Sequence, residues 1–195
     1  EVYSVNAQTQ RTELVFNESY VSLNGNWDFK YGDSESQLPD QWSKIKVPGN
    51  WEVQGFGVPV YVNHPYEFAP VNPRPPHLPE DTPVGVYRRM FTIPQAWEGR
   101  QVYINLAGAK SGVYLYVNGS MVGYNEDSKN LARFNITEYL RSGDNELEVK
   151  MFRYSTGSYL ECMDFFRISG IERDVYLSSE KRDTRFDFNL ISTLD

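Results

Sequence analysis

One stretch of the sequence, residues 153–177, places acidic and aromatic side chains between two predicted strands. Glu161 and Asp164 lie close to Tyr159 and to two consecutive phenylalanines that begin at Phe165. Aromatic rings stack on the C–H faces of sugars, and carboxylates accept hydrogen bonds from hydroxyl groups. The pattern is therefore typical of a sugar-binding loop. A long connection that closes one end of a β-sandwich would have the same composition, so both interpretations stay open at this point.

The single cysteine, Cys162, limits the other chemistry that this stretch could perform. One cysteine excludes an internal disulfide and a cysteine-based metal cluster. As a nucleophile it would need a histidine partner, and the sequence contains only His64 and His77. We interpret Cys162 as an ordinary small residue of a core or loop, and His64 as a wall residue rather than an acid or base.

The elements that position these side chains are predicted to be short β-strands. Aromatic residues make up 15% of the chain, and 14 glycines and 11 prolines lie mostly between short apolar runs, which indicates an all-β fold. A chain of 195 residues can form one domain with a full core.

Charge and hydropathy exclude several classes of partner. The net charge of −7 does not favour nucleic acid or an anionic membrane. The sequence contains no run of about 18 apolar residues, so it predicts no transmembrane helix. We expect a soluble protein in the cytoplasm or the periplasm, and one thiol does not decide between the two compartments.

Turn signals and alternation predict the individual strands. An Asn-Gly pair at 24–25 is expected to join a first strand pair within Val21–Tyr31. A second pair at 118–119 is expected to join a hairpin of Gly112–Val117 and Met121–Tyr124. The remaining predicted elements are strands at Val86–Ile93, Val102–Leu106, Leu147–Met151 and Val175–Leu177, with a helical turn at Thr137–Leu140.

Prolines concentrate in residues 55–83, which also contain Tyr61 and Asn63. Proline cannot donate a ladder hydrogen bond, so this segment should contain no central strand. A segment this long without regular structure is usually functional when it occurs inside a compact domain. We expect it to form a rigid loop across one end of the sandwich.

The two ends of the chain differ from its centre. Residues 1–19 show no strong periodicity and are predicted to form an N-terminal arm, whereas residues 20–180 form the sandwich domain. Residues 181–195 begin with a charged break and continue as an alternating run without a successor. The first residue is Glu1 rather than methionine. We therefore expect a piece of a longer protein that ends in a linker and the first strand of a truncated immunoglobulin-like domain.

Taken in order, a set of short motifs resembles the N-terminal domain of glycoside hydrolase family 2, and its last members are similar to the β-galactosidase branch. Each motif alone is a weak signal, but the ordered set extends over residues 20–178. The motifs are Ser22–Phe29, Val47–Trp51, Pro59–Asn63, Gly85–Arg89, Val117–Gly119, Val122–Tyr124, Asp127–Ser128, Gly157–Glu161, Asp164, Ser169–Ile171 and Arg173–Val175.

The resemblance implies a jelly-roll β-sandwich of the galactose-binding-domain type. It also implies downstream immunoglobulin-like and (β/α)8 barrel domains, and two barrel glutamates that act in a retaining mechanism on β-galactosides. The present chain would then be inactive alone and would carry no cofactor, whereas sodium and magnesium would belong to the full-length enzyme. The family further implies a homo-oligomer.

Two contact residues of the family match positions in this chain. Asn63 matches an asparagine of the family that contacts the galactosyl unit. Asp164 matches an aspartate of the family that accepts a hydrogen bond from a galactose hydroxyl and helps to bind sodium. An amide donates and accepts hydrogen bonds, and a carboxylate forms short charge-assisted ones. Asn63 could instead form a turn, and Asp164 could form a salt bridge with Arg167 or Arg173.

Two alternative functions remain at the level of the sequence. A stand-alone carbohydrate-binding module would need its own aromatic platform, for which Trp51, Tyr61, Tyr159 and Phe165 are the candidates. The equivalent domain of another family 2 enzyme, such as a β-glucuronidase, would share most of the motifs. The run Cys162–Phe166 departs from the best-known bacterial pattern and leaves the substrate preference open.

Overall fold

The computed structural model describes residues 3–6, 11–14, 19–63, 66–161 and 163–183, so the predictions for His64, Cys162 and the tail strand lie outside the described residues. The strands are β1 (Tyr3–Asn6), β2 (Arg11–Leu14), β3 (Tyr20–Ser22), β4 (Gly25–Gly32), β5 (Ser43–Val47), β6 (Gly49–Asn50), β7 (Val60–Val62), β8 (Val84–Thr92), β9 (Gln101–Leu106), β10 (Ala109–Lys110), β11 (Gly112–Val117), β12 (Ser120–Asn125), β13 (Ala132–Asn135), β14 (Asp144–Phe152), β15 (Phe165–Arg167), β16 (Gly170–Ile171) and β17 (Val175–Glu180). Short 3₁₀ helices lie at Glu35–Gln37, Glu52–Gln54, Gln95–Trp97, Thr137–Tyr139 and Thr156–Tyr159. None of the helices in these ranges is both long and apolar enough to cross a membrane.

Two antiparallel sheets enclose one apolar core. The larger sheet has six strands in the order β12-β11-β14-β8-β4-β5, and the smaller has four in the order β13-β9-β17-β3. Strand β14 lies inside the larger sheet, and its apolar residues Leu147, Val149 and Met151 are fully buried while the residues between them are partly exposed. Facing them across the core is β9, with Ile104 and Leu106. The alternation therefore predicted the buried faces correctly, and the predicted all-β sandwich is confirmed.

The second Asn-Gly pair forms the predicted hairpin. Asn118 and Gly119 have φ angles of 52° and 81° and connect β11 to β12. Two successive positive φ angles produce the twist that a two-residue hairpin needs, and this is the reason that Asn-Gly is favoured there. The predicted helical turn after β13 is also present, as the 3₁₀ helix Thr137–Tyr139.

The prediction of a strand pair around the first Asn-Gly is wrong. Strand β3 pairs with β17 in the smaller sheet, whereas β4 pairs with β5 and β8 in the larger one. The side chain of Asn24 explains the difference, because it bonds to a distant strand instead of closing a local turn. Its Nδ2 donates to Asp174 Oδ1 over 2.8 Å, and its Oδ1 accepts from the N–H of Val175 over 2.9 Å. Asn24 thus marks the point where the chain passes between the two sheets.

In its described residues, 55–63 and 66–83, the proline-rich segment contains one short strand, β7, which pairs with β15. The absence of central strands among the described residues of this segment agrees with the prediction. The segment packs through its aromatic side chains. The rings of Tyr66 and Tyr159 have centroids 4.9 Å apart, and those of Phe68 and Tyr154 are 4.6 Å apart. These contacts attach the loop to the acidic and aromatic stretch.

A three-stranded sheet in the order β10-β16-β6 connects motifs that are far apart in the sequence. Strand β6 pairs with β16, so that Asn50 lies opposite Gly170. Strands β1 and β2 pair with each other. The predicted domain limits, with an arm at 1–19 and a linker from residue 181, remain predictions.

A core substitution should reveal how much the sandwich depends on β14. Leu147 is 0% exposed and Leu131 is 54% exposed, so the same change to alanine can be compared at both positions. We expect Leu147→Ala to lower the free energy of unfolding by about 3 kcal/mol, because it removes buried apolar atoms and leaves a cavity. Leu131→Ala should lower it by less than about 0.5 kcal/mol. Equilibrium urea unfolding measures both values, and equal losses would contradict the assignment of the core.

Candidate functional site

Strands β7 and β15 bring the two predicted contact residues to one end of a short ladder. Their antiparallel register pairs Val62 with Phe165. Asn63 follows the last pair on one strand, and Asp164 precedes it on the other. The two side chains therefore project from the same end of the ladder, and both residues are exposed. The resemblance predicted the two residues separately, and the structure makes them neighbours.

The carboxylate of Asp164 is oriented by Tyr61. The tyrosine hydroxyl donates a hydrogen bond of 2.7 Å to Asp164 Oδ1, and this hydrogen bond, together with the charge of Asp164, raises the pKa of Tyr61. The rings of Tyr61 and Phe166 lie 5.5 Å apart and are 55% and 60% exposed. One oxygen of the Asp164 carboxylate therefore remains able to accept a hydrogen bond from a sugar hydroxyl. The exposed aromatic pair beside it can contact the C–H face of the sugar.

Asp164 does not form the alternative salt bridges. The Nε of Arg167 lies 3.5 Å from Glu67 Oε2, and Arg173 donates to the carbonyl oxygen of Lys129 over 2.7 Å. Neither guanidinium pairs with Asp164 in the described part of the chain. The amide of Asn63 makes no hydrogen bond to a described residue, so it is also free to meet a ligand.

A buried arginine holds the ladder in place. Arg153 directly follows β14, and its guanidinium donates to the carbonyl oxygens of Val58 and Arg167 over 3.1 Å and 3.0 Å. Val58 precedes β7 and Arg167 ends β15, so one side chain connects both strands of the ladder to the large sheet. Sequence analysis did not identify this role, because Arg153 looked like the polar end of a strand.

The partner of Arg153 is Glu52, whose side chain is fully buried. Glu52 Oε1 lies 3.6 Å from Arg153 Nη1, and Oε2 accepts from the N–H of Ser169 over 2.8 Å. Burial raises the pKa of Glu52, while the Ser169 N–H and the charge of Arg153 oppose that shift. Removing either partner would leave a buried charge uncompensated, which is strongly unfavourable. Glu52 therefore fixes both the arginine and the segment that follows β15.

A cleft lies on the other side of Asp164. It has a volume of about 690 Å³ and is lined by Lys110, Ser128, Lys129, Leu160, Glu161, Met163, Asp164 and Phe165. Leu160 and Met163 are exposed apolar residues there. Glu161 is not presented to this cleft as a free carboxylate, because Oε1 accepts from the N–H of Ser128 over 2.9 Å and Oε2 is buried.

The structure corrects the set of candidate platform residues. Trp51 is fully buried in the core and Tyr159 is buried beneath the proline-rich segment, so neither can stack on a sugar. Tyr61 is exposed, and Phe165 lines the cleft. Trp51 and Tyr159 are therefore wrong as platform candidates, because both are buried, whereas Tyr61 and Phe165 remain candidates.

The metal prediction remains a prediction. Across the described residues, no cluster of three or more His, Cys, Asp or Glu side chains forms a candidate metal site. Asp164 supplies one carboxylate, which is a hard oxygen ligand, and sodium there would need additional oxygen ligands from elsewhere. Magnesium has no candidate ligand set within these ranges.

The pH dependence of stability should reveal the buried carboxyl group of Glu52. Because its pKa is raised, the folded chain binds this proton more tightly than the unfolded chain, and the stability it contributes declines as the pH rises through the folded pKa. We expect the free energy of unfolding of the parent chain, relative to Glu52→Gln, to decrease as the pH rises above the ordinary glutamate pKa of about 4.3. Urea unfolding at a series of pH values measures this difference.

Glu126 provides a control with the opposite sign. The hydroxyl of Thr156 lowers the pKa of Glu126, so its contribution to stability is lost as the pH falls. The parent chain should therefore gain stability relative to Glu126→Gln as the pH rises. Differences of the same sign for both variants would contradict the assignments.

The sequence matches known proteins at the level of a family. The family described as "Glycosyl hydrolases family 2, sugar binding domain" matches residues 20–181. A β-galactosidase of Priestia megaterium is 39% identical over 188 residues, which cover 90% of this chain and 18% of that protein. A β-galactosidase of Psychromonas ingrahamii is 40% identical over 183 residues, which cover 89% of this chain and 17% of that protein. The chain therefore spans less than a fifth of the length of these relatives.

Solved structures agree on the fold. A β-glucuronidase of Bacteroides uniformis has a TM-score of 0.60 at 25% identity, covering 83% of this chain and 18% of that one. A β-glucuronidase of Ruminococcus gnavus has a TM-score of 0.63 at 18% identity, covering 86% of this chain and 30% of that one. These matches support the predicted jelly-roll sandwich. The family match over residues 20–181 shows that the chain belongs to glycosyl hydrolases family 2 and forms its sugar-binding domain.

Proposed function

We propose that this chain is the N-terminal domain of a β-galactosidase and that it lines the galactosyl subsite of the full-length enzyme. The observation that carries the proposal is the exposed carboxylate of Asp164, held by Tyr61 at the end of the ladder beside Asn63. The relatives of about 40% identity, which are named β-galactosidases, support the choice of sugar.

Asp164 and Asn63 supply complementary hydrogen bonds to a sugar. Oδ1 of Asp164 already accepts a hydrogen bond from Tyr61, so Oδ2 remains to accept one from a sugar hydroxyl. The amide of Asn63 can donate to one hydroxyl and accept from another. The ladder and the buried Arg153 already fix Asn63 and Asp164. Binding of the galactosyl unit therefore avoids the entropy loss of ordering a loop.

The catalytic carboxylates of this proposal belong to the rest of the longer protein. A retaining glycosidase needs two carboxyl groups about 5 Å apart, one on each side of the scissile bond. Glu161 is the acid nearest to Asp164 in sequence that also lines the cleft. Its Oε1 accepts from the N–H of Ser128 and its Oε2 is buried, so it does not present a free carboxylate to a substrate. The domain alone is therefore proposed to be inactive.

The proposed partners are the immunoglobulin-like and barrel domains of the same chain, in an oligomeric enzyme. Exposed apolar side chains surround the site, among them Leu160, Met163 and Phe166. Apolar residues grouped in this way are typical of a surface that meets another domain. Sodium at Asp164 is part of the same proposal.

A β-glucuronidase domain is the second candidate, because β-glucuronidases are among the solved structures that match this fold. The full-length enzyme should cleave 4-nitrophenyl β-D-galactoside at least about 100-fold more efficiently than the corresponding glucuronide, measured as kcat/KM. The opposite preference would overturn the β-galactosidase proposal and favour this candidate.

Substitutions at the site should separate binding from folding. In the full-length enzyme we expect Asp164→Asn to lower kcat/KM for the aryl galactoside about 100-fold, because it removes the charge from the hydrogen bonds to the sugar. Tyr61→Phe should lower it about fivefold, since the carboxylate loses one orienting bond. Tyr116→Phe, a change on β11 outside the ladder, is the control. An unaltered kcat/KM in Asp164→Asn would contradict the assigned role.

A further inference from the structure

A basic cleft, which we call the arginine cleft, lies where β8 and β17 end and β9 and β14 begin. It has a volume of about 640 Å³ and shares no lining residue with the cleft beside Asp164. Its ionisable lining residues are Arg100, Arg141, Arg182 and Glu98. The lining therefore has a formal charge of +2, although the chain as a whole has a charge of −7.

Hydrogen bonds hold two of the three arginines in place. The Nε of Arg141 donates to the carbonyl oxygen of Asp144 over 2.9 Å, and its backbone N–H donates to Oδ1 of the fully buried Asn145 over 2.9 Å. The Nη2 of Arg100 donates to the carbonyl oxygen of Ser179 over 3.1 Å. Because both side chains are already ordered, a partner that contacts them causes a smaller loss of conformational entropy.

The charge of the arginine cleft is not compensated from within the domain. In the part of the chain that the structure describes, none of the three guanidinium groups pairs with a carboxylate. The Nε of Arg100 is buried there without a hydrogen-bond partner. Glu180, at the end of β17, is already paired with Arg133. Buried donors nearly always have an acceptor, and three neighbouring positive charges favour an anionic partner.

The floor of the arginine cleft indicates the kind of anion. Trp97 is buried, and Ile93 and Leu140 are partly buried against the core. A guanidinium group pairs with a carboxylate through two parallel hydrogen bonds. An aspartate or glutamate side chain also brings CH₂ groups that an apolar floor can cover, whereas inorganic phosphate would use only the charges. The cleft therefore fits carboxylate side chains of a polypeptide.

The path of the backbone indicates where this polypeptide comes from. Arg182 follows the last residue of β17 by two positions, so the backbone leaves the sandwich beside the arginine cleft. Arg182 also lines an adjoining cleft of about 380 Å³. The region that this chain matches is only 18% of the Priestia megaterium relative. A segment tethered next to the cleft would meet it at a high effective concentration.

We propose that the arginine cleft is the docking surface for the domain that follows this chain in the longer protein, and that aspartate or glutamate side chains of that domain pair with Arg141 and Arg182. The inference rests on the proposed function only in that it requires a further domain in the same polypeptide. It adds the surface at which the two domains meet and the charge of the partner surface.

Zero-length cross-linking of the full-length enzyme tests the proposal. Arg141→Lys keeps the positive charge and places an amine in the cleft, which a water-soluble carbodiimide joins to a carboxylate in direct contact. Mass spectrometry of the digested product identifies that carboxylate. We expect it to belong to an aspartate or glutamate within about 150 residues beyond Asp195, the usual size of one domain.

Arg133→Lys is the matched control, because the parent side chain already pairs with Glu180. Its amine should link to Glu180, and the yield with Arg141→Lys should lie within about threefold of this yield. Arg182→Lys repeats the test at a second position of the arginine cleft. If the control links and neither cleft variant links beyond Asp195, the cleft is solvated and the proposal is overturned.

Two other products would also overturn the proposal. One is a link from the arginine cleft to an acid within residues 1–195 alone. The other is a link to a second copy of the enzyme, which a mixture of ¹⁵N-labelled and unlabelled enzyme reveals by mass.

Hydrolysis of 4-nitrophenyl β-D-galactoside by the same enzyme separates this proposal from the proposed function. Hydrolysis without the expected link overturns the docking surface alone. The expected link in an enzyme that does not hydrolyse the galactoside supports the docking surface and overturns the proposed function.

Discussion

The site depends on one buried guanidinium group. Arg153 donates to the carbonyl oxygens of Val58 and Arg167, which flank the two strands of the ladder, and faces the carboxylate of Glu52. Two short strands with one neighbour each would be marginal alone. The arginine connects them to the end of β14, so the ladder is held by the six-stranded sheet of the sandwich.

This arrangement transmits the rigidity of the core to the exposed residues. Leu147, Val149 and Met151 fix β14, and the chain enters the site only one residue after that strand ends. Glu52 fixes the opposite side through the N–H of Ser169. A buried ion pair is weak evidence for stability, because its desolvation offsets much of its attraction. Its contribution here is geometric, since it selects one position for both strands.

Two carboxylates near the cleft illustrate how surroundings decide a role. Asp164 is exposed and accepts one bond from Tyr61, so it retains an oxygen for a ligand. Glu161 precedes it by three positions, but accepts the N–H of Ser128 and has its other oxygen buried. The first is suited to bind a hydroxyl, and the second to hold the loop. The chain matches the sugar-binding domain of its family, and the proposed function places the catalytic carboxylates elsewhere in the longer protein.

The sequence alone determined what depends on neighbouring residues. Alternation in β14 defined the buried face, and the Asn118-Gly119 pair defined a hairpin because both positions need positive φ. The ordered motifs identified the family and predicted two contact residues. Only the tertiary structure decided what depends on distant residues. Asn24 bonds to Val175 instead of closing a hairpin, and Trp51 is in the core rather than on a platform. The physical reason is that burial and long-range hydrogen bonds are properties of the packed chain, and no local pattern encodes which distant group will satisfy a side chain.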